Sequence, residues 1–173
     1  DALGPAPSDD ALYFFRLDGL HEQMHGEASV YMAHGLGLAL EHPPAPAHAM
    51  PQAPQELHLP AQTFQVGSAR RGFAFDNELQ SFAVEIPALS MDARAVDWHR
   101  FLPFVEAGGY EQRSWWDEAG WAWLQTRPDR WPRGLRQAGG GWQERVAGRW
   151  TALAPTRAAT HLSAHEAQAW CRW

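Results

Sequence analysis

His21-Glu22-Gln23-Met24-His25 is the one run in this chain whose residue types and spacing point directly to chemistry. Histidines at i and i+4 project from the same face of a helix, so a nitrogen from each ring can reach one cation. With nine His in 173 residues, roughly half an HxxxH is expected from composition, and HExxH on the order of a few per cent of the time. Position says more than frequency. Phe14 and Leu17 precede the pair on the same helical stripe, and Ala28 and Met32 follow it. Two imidazoles buried on an apolar stripe cost free energy unless they are partnered, and a metal ion removes that cost. The residues leave two readings open: a metal-binding pair, or a pair satisfied by ordinary protein contacts.

A zinc-peptidase reading, with Glu22 as general base, is the first that HExxH raises. The downstream residues argue against it. Ala28 and Tyr31 stand where an extended zinc motif needs Gly and His, and a Pro-rich stretch leaves little room for a ligand on a following helix.

The pair needs an element to carry it. Ser8 is a suitable N-cap, Asp9 and Asp10 favour the positive end of the helix dipole, and the three- and four-residue apolar spacing predicts one helix from 8 to about 38. Gly35 and Gly37 end it. Residues 41–60 hold six prolines, which predicts an extended connector with His42, His48 and His58 solvated. Further on, Thr63-Phe64-Gln65-Val66 and Phe82-Ala83-Val84-Glu85-Ile86 alternate like half-buried strands. A short helix is expected from Asp97 to Ala107, with Pro103 inside it and Gly108-Gly109 stopping it. Residues 113–158 show no clean period, apart from a hairpin between Trp142 and Trp150. Ser163 and Glu166 form a capping box that starts a last helix, Ala164 to Trp173.

Composition excludes several classes. Twenty acidic against fourteen basic residues give a net charge of −6, which rules out a chain-wide basic field for nucleic acid. Every basic residue is Arg, so no lysine Schiff base or P-loop lysine exists. The single Cys, Cys171, excludes an internal disulfide and a multi-cysteine zinc site. No stretch of about 18 apolar residues occurs, so no membrane span is expected. The first residues carry neither a basic region nor an apolar run, and a cytoplasmic protein is expected. Ten Trp, all from Trp98 onward, read mainly as core for an irregular domain and secondarily as an aromatic ligand surface. Asp76-Asn77-Glu78 reads as a side-chain-fixed turn, with a calcium site as the alternative. Arg70-Arg71 reads as a solvated pair, with an anion contact as the alternative. His34 is expected to pack. His161 and His165 are expected on different elements, and Cys171 is expected to face a helical core.

With His21-Glu22-Gln23-Met24-His25-Gly26-Glu27-Ala28 and Tyr31-Met32, the first region resembles the metal-binding helix of the DinB-like bundle in ergothioneine-type sulfoxide synthases. The second resembles the formylglycine-generating-enzyme (sulfatase-modifying factor) domain that follows that bundle. The matching text is Thr63-Phe64 with Val66-Gly67-Ser68, Phe73-Ala74-Phe75-Asp76-Asn77-Glu78, Val84-Glu85-Ile86-Pro87 and Phe104-Val105-Glu106-Ala107-Gly108-Gly109-Tyr110. It continues through Trp115-Trp116, Gly120-Trp121, His161-Leu162-Ser163, Glu166-Ala167 and Cys171-Arg172-Trp173. Some positions differ. Met24 stands where many members carry Gln, Val96-Asp97-Trp98 replaces Val-Thr-Asn, and Ala164-His165 replaces an aromatic pair.

The resemblance implies an α+β fold. Residues 1–40 would be the last part of the bundle, 41–60 a Pro-rich linker, and 61–173 an irregular C-type-lectin-like domain. It implies an Fe(II), O2-dependent enzyme that joins the sulfur of a thiol, or the selenium of a seleno-sugar, to the imidazole of histidine or its trimethyl betaine. His21 and His25 would be two of three histidine ligands. The third ligand and most substrate contacts are expected outside this text, which reads as an internal piece of a longer protein. Neither nucleic acid nor membrane is implied as a partner. Two other functions stay open: a Trp-rich binding module without catalysis, and formylglycine generation on a protein Cys, against which the histidine helix argues.

Overall fold

A computed structural model describes residues 6–41, 56–69 and 72–173. The fold is α+β, as expected. The chain gathers into two units, one made by the residues up to Leu36 with Glu56–Met91, the other by 37–41 with 92–173. His42, His48, Arg70, Arg71 and the greater part of the expected connector lie outside the described residues.

The first unit starts with helix α1, Asp9–Leu36. Ser8 caps it, its Oγ accepting from Ala11 N at 3.2 Å, and this satisfies one of the free N–H groups of the first turn. Asp9 takes the Arg16 guanidinium at 2.7 Å and the Gly72 N–H at 3.1 Å. Tyr13 stacks on Phe73 at 5.4 Å between ring centroids, and Phe73 meets Phe75 edge-on at 5.1 Å. Strand β1 (Glu56–Leu59) lies beside β4 (Leu89–Asp92), and β2 (Gln62–Val66) pairs antiparallel with β3 (Phe82–Ile86), Phe64 opposite Val84. The alternation of β2 and β3 correctly gives strands but overstates their burial. All of β2 is exposed, with Phe64 at 55% and Phe82 in β3 at 57%. A period of two fixes which side chains share a face, while burial depends on what lies against that face.

Aromatic packing builds the second unit. Helix α2, Trp98–Glu106, is capped by Asp97, whose carboxylate accepts from Arg100 N at 3.0 Å. It runs through Pro103 because Trp98, Phe101, Phe104 and Val105 are buried on one side. Each contributes about 1.5–3 kcal/mol on burial, enough to offset the hydrogen bond that proline removes. Helix α3, Glu118–Gln125, was not legible in the sequence, and its cap is Asp117. Strands β5 (Leu135–Ala138), β6 (Gly141–Val146) and β7 (Arg149–Ala152) form an antiparallel meander containing the expected hairpin. Helix α4, Ala164–Arg172, starts with the expected capping box at Ser163 and Glu166.

The core joins Trp98, Phe101, Phe104, Tyr110, Trp116, Leu124, Leu135 and Ala169. Its indoles pack and also donate: Trp116 Nε1 to Gly109 O at 2.9 Å, and Trp170 Nε1 to Arg100 O at 3.2 Å. Packing is thus what most of the tryptophans do. Cys171 is exposed, contrary to expectation. On α4 the inward positions fall to its neighbours Ala169, which is buried, and Trp170, which is half-buried.

Candidate metal centre on the first helix

α1 places His21 and His25 one turn apart, with ring centroids separated by 4.5 Å and ring planes inclined at 49°. The rings therefore face a common region of the helix surface, as the i, i+4 spacing requires. Both residues are exposed, and α1 buries none of its residues. This corrects the expectation of a buried apolar stripe. Phe14, Met24 and Met32 also lie open, at 74%, 53% and 53%. The burial cost that would have demanded a metal is absent, and convergence of the two rings is what remains in favour of one. The Ser29 hydroxyl donates to the His25 carbonyl at 2.8 Å, a bond inside the helix that leaves the ring uninvolved.

Imidazole nitrogen suits iron, zinc, copper and nickel alike. Among the described residues no group of three or more His, Cys, Asp or Glu converges to hold a metal. The donor set fits a metal as half of a site, which further donors must complete. Gln23 stands two residues from each histidine and projects away from the shared face, while Glu22 stands three residues before His25 and neighbours it on the helix surface.

The other singled-out residues separate from this pair. His58 Nδ1 lies 2.7 Å from Ser90 Oγ, bridging β1 and β4. His34 is half-buried and partnered. His161 has a left-handed backbone with φ 61°, while His165 sits in α4 against the Trp123 ring at 5.5 Å, so the two occupy different elements as expected. Asp76–Glu78 forms one turn of 3-10 helix, tied by Phe75 N donating to Glu78 Oε2 at 3.0 Å. Asp76 of that turn lines an open cavity of about 830 Å3 together with Ser68, Leu79, Gln80 and Ser81.

Sequence reading missed the buried polar groups, Glu144 with Arg157 and the deeper cluster around Glu166. Glu166 is fully buried. It accepts from Tyr110 OH at 2.7 Å, from Ser163 N at 2.7 Å and from Ser163 Oγ at 2.8 Å, with the Arg127 guanidinium at 3.8 Å. Burial, then the adjoining carboxylate, push the Tyr110 phenol far above its ordinary value. The capping-box spacing marked Glu166, but the Tyr110 partner is 56 residues away and no local signal names it.

No family model matches the chain. Over its whole length it is similar to proteins named hercynine oxygenase. It is 29% identical over 186 residues to that of Mycolicibacterium thermoresistibile, of which it covers 39%. It is 27% identical over 183 residues to that of Mycolicibacterium smegmatis and 27% over 182 to that of Mycobacterium tuberculosis, covering 41% of each. The chain thus spans about two fifths of the length of the curated relatives it matches. Among the described residues no helix is long and apolar enough to cross a membrane.

Proposed function

We propose that this chain is part of a non-haem iron(II), O2-dependent oxidoreductase acting on histidine or its trimethyl betaine, hercynine. The reaction would join the sulfur of a thiol, or the selenium of a seleno-sugar, to an imidazole carbon, giving an ergothioneine-type or selenoneine-type product. In the sulfur case the thiol and the imidazole C–H each lose hydrogen, one oxygen atom ends in a sulfoxide, and the other ends in water. The observation that carries this reading is the chain-long similarity to proteins named hercynine oxygenase. The converging imidazoles of α1 are consistent with it.

In this reading His21 and His25 hold the iron through one nitrogen each, and a third ligand comes from outside residues 1–173. When bound, ferrous iron would supply open positions for thiolate, imidazole and O2 and would carry the oxidation. α1 contributes rigidity. Both ligands stand on one regular helix, so their separation is set by backbone geometry. Met24 lies between them and cannot donate a hydrogen bond to a bound imidazole. Residues 1–40 then belong to a metal-binding bundle, 41–60 to a linker, and 61–173 to a formylglycine-generating-enzyme-like domain. The partners are small molecules, with no nucleic acid or membrane, in the cytoplasm.

The test is anaerobic ferrous loading of the complete protein, followed by O2 uptake with hercynine or histidine and candidate thiols or selenols. The intact protein is expected to consume O2 only when both substrates are present. His21→Ala should cut the rate at least about a hundredfold, as expected for loss of a metal ligand. Equal uptake by the two forms would remove the mechanism.

A further inference from the structure

We propose that Tyr110, Trp116 and Trp123 form a relay in the second unit that draws a one-electron oxidising equivalent inward and holds it on Tyr110 as a neutral radical, with the phenol proton resting on Glu166. The proposal does not rest on the iron reading and uses neither histidine of α1.

The rings make an unbroken path. Trp123 is half-buried and is the outermost of the three. It stacks on Trp116 at 6.3 Å between centroids, and Trp116 meets Tyr110 edge-on at 5.4 Å. Trp116 is 3% exposed and Tyr110 is fully buried. Tyrosine and tryptophan are the aromatic side chains that lose one electron most readily, so each contact is a short step between two oxidisable rings. Phe104 also packs on Tyr110, at 5.6 Å, but a phenyl ring is far harder to oxidise and offers no branch.

Proton acceptors decide where the charge stops. An oxidised indole or phenol becomes a strong acid and is stabilised by giving its proton to a base. Trp116 Nε1 donates to the Gly109 carbonyl at 2.9 Å, and a carbonyl is not a base. The Trp123 ring lies against His165 at 5.5 Å and under the Arg127 guanidinium at 4.9 Å. That fixed cation opposes a second positive charge on the indole. Tyr110 is the member whose own O–H already points at a carboxylate, Glu166 Oε1, at 2.7 Å. Burial, then that carboxylate, hold the phenol protonated at rest, so oxidation must move the proton with the electron.

The oxidant is a one-electron acceptor at the surface, such as an organic peroxyl radical. It takes the electron through Trp123 and Trp116, adds a proton from water and becomes a hydroperoxide. The Tyr110 O–H bond breaks and a Glu166 O–H bond forms. The buried Tyr110–Glu166 pair passes from one negative charge to none, so desolvation favours the step.

The experiment uses the intact protein without added iron or substrate. Photogenerated tris(bipyridine)ruthenium(III), with a cobalt(III) ammine as electron acceptor, supplies the oxidant. Frozen samples are read by electron paramagnetic resonance. The parent is expected to accumulate a long-lived tyrosyl signal coupled to an exchangeable proton, a coupling that disappears in D2O. Tyr110→Phe is expected to lose that signal and leave a short-lived tryptophan radical. Glu166→Gln keeps a side chain able to cap α4 but unable to take the proton, and the long-lived tyrosyl is expected to be lost there too. Trp123→Phe should slow its appearance. Circular dichroism checks that each variant is folded. Where a core variant is not, the proton coupling in the parent and the rate in Trp123→Phe decide. A long-lived tyrosyl that survives Tyr110→Phe overturns the proposal, and so does a parent that forms none or forms one without the exchangeable proton. An undiminished yield in Glu166→Gln, or an unchanged rate in Trp123→Phe, overturns it as well.

Discussion

Gly109 shows how tightly single residues are specified in the aromatic core. A Cβ there would overlap the ring of Phe104, and its carbonyl receives the Trp116 indole N–H at 2.9 Å. The requirement is for space. Gly139, in the β5–β6 turn, is the opposite case: its φ is +63°, and among the described residues nothing lies within 4 Å of where a methyl group would stand. Gly109→Ala is therefore expected to cost about 1–3 kcal/mol through overpacking, and Gly139→Ala about 1 kcal/mol through backbone strain alone. Tryptophan fluorescence under urea measures both, since every Trp lies in the second unit. Equal midpoints for Gly109→Ala and the parent would show that Phe104 is free to move aside. Buried groups make the same point about distance. Glu166 was recognisable as a helix-capping residue from its spacing to Ser163, but its bond to Tyr110 joins positions far apart in sequence and only packing brings them together.

Helix boundaries were legible where a capping side chain announces them. Ser8 and Ser163 each accept the backbone N–H that their spacing promised, and Asp97, at the expected start of α2, accepts one as well. α3 went unread although Asp117 caps it in the same way, with its Oδ1 accepting from Gly120 N at 2.6 Å. Gly120, Trp121 and Trp123 are poor helix formers by local propensity, and burial of Gly120 and Leu124 overrides that preference. Strand assignments depended on how strongly a segment alternates. β2 and β3 were readable, while β1, β4 and β5 are four-residue strands whose pairing is fixed by their neighbours. The α3 cap has a pH consequence. The Gly120 N–H, and then the nearby Arg172, hold the Asp117 carboxyl below its ordinary value. A carboxyl depressed in the folded state adds stability above its unfolded value and loses it as pH falls through the folded value. Asp117→Asn keeps a good capping side chain but removes the titration. Its urea midpoint should vary less than the parent's between about pH 6 and pH 2, and identical acid limbs would show that this cap is not a source of acid sensitivity.

At the level of the whole molecule, the chemistry and the core separate. The paired imidazoles stand on a helix of the first unit that buries none of its own residues, and the aromatic core occupies the second unit. The net charge of −6 is that of the whole chain, and residues 92–173 carry eleven Arg against nine Asp and Glu. The histidine spacing was plain in the sequence, but its setting was not, because exposure of α1 depends on what packs against it and not on its own pattern. The proposed activity stands or falls on whether the two rings hold iron together. The most direct measurement is anaerobic ferrous binding to the intact protein by competition with a chromophoric chelator, repeated for His21→Ala and His25→Ala. One ferrous ion per chain is expected, with each substitution weakening it by at least about tenfold. Stoichiometric iron bound equally well by both variants would contradict the assignment.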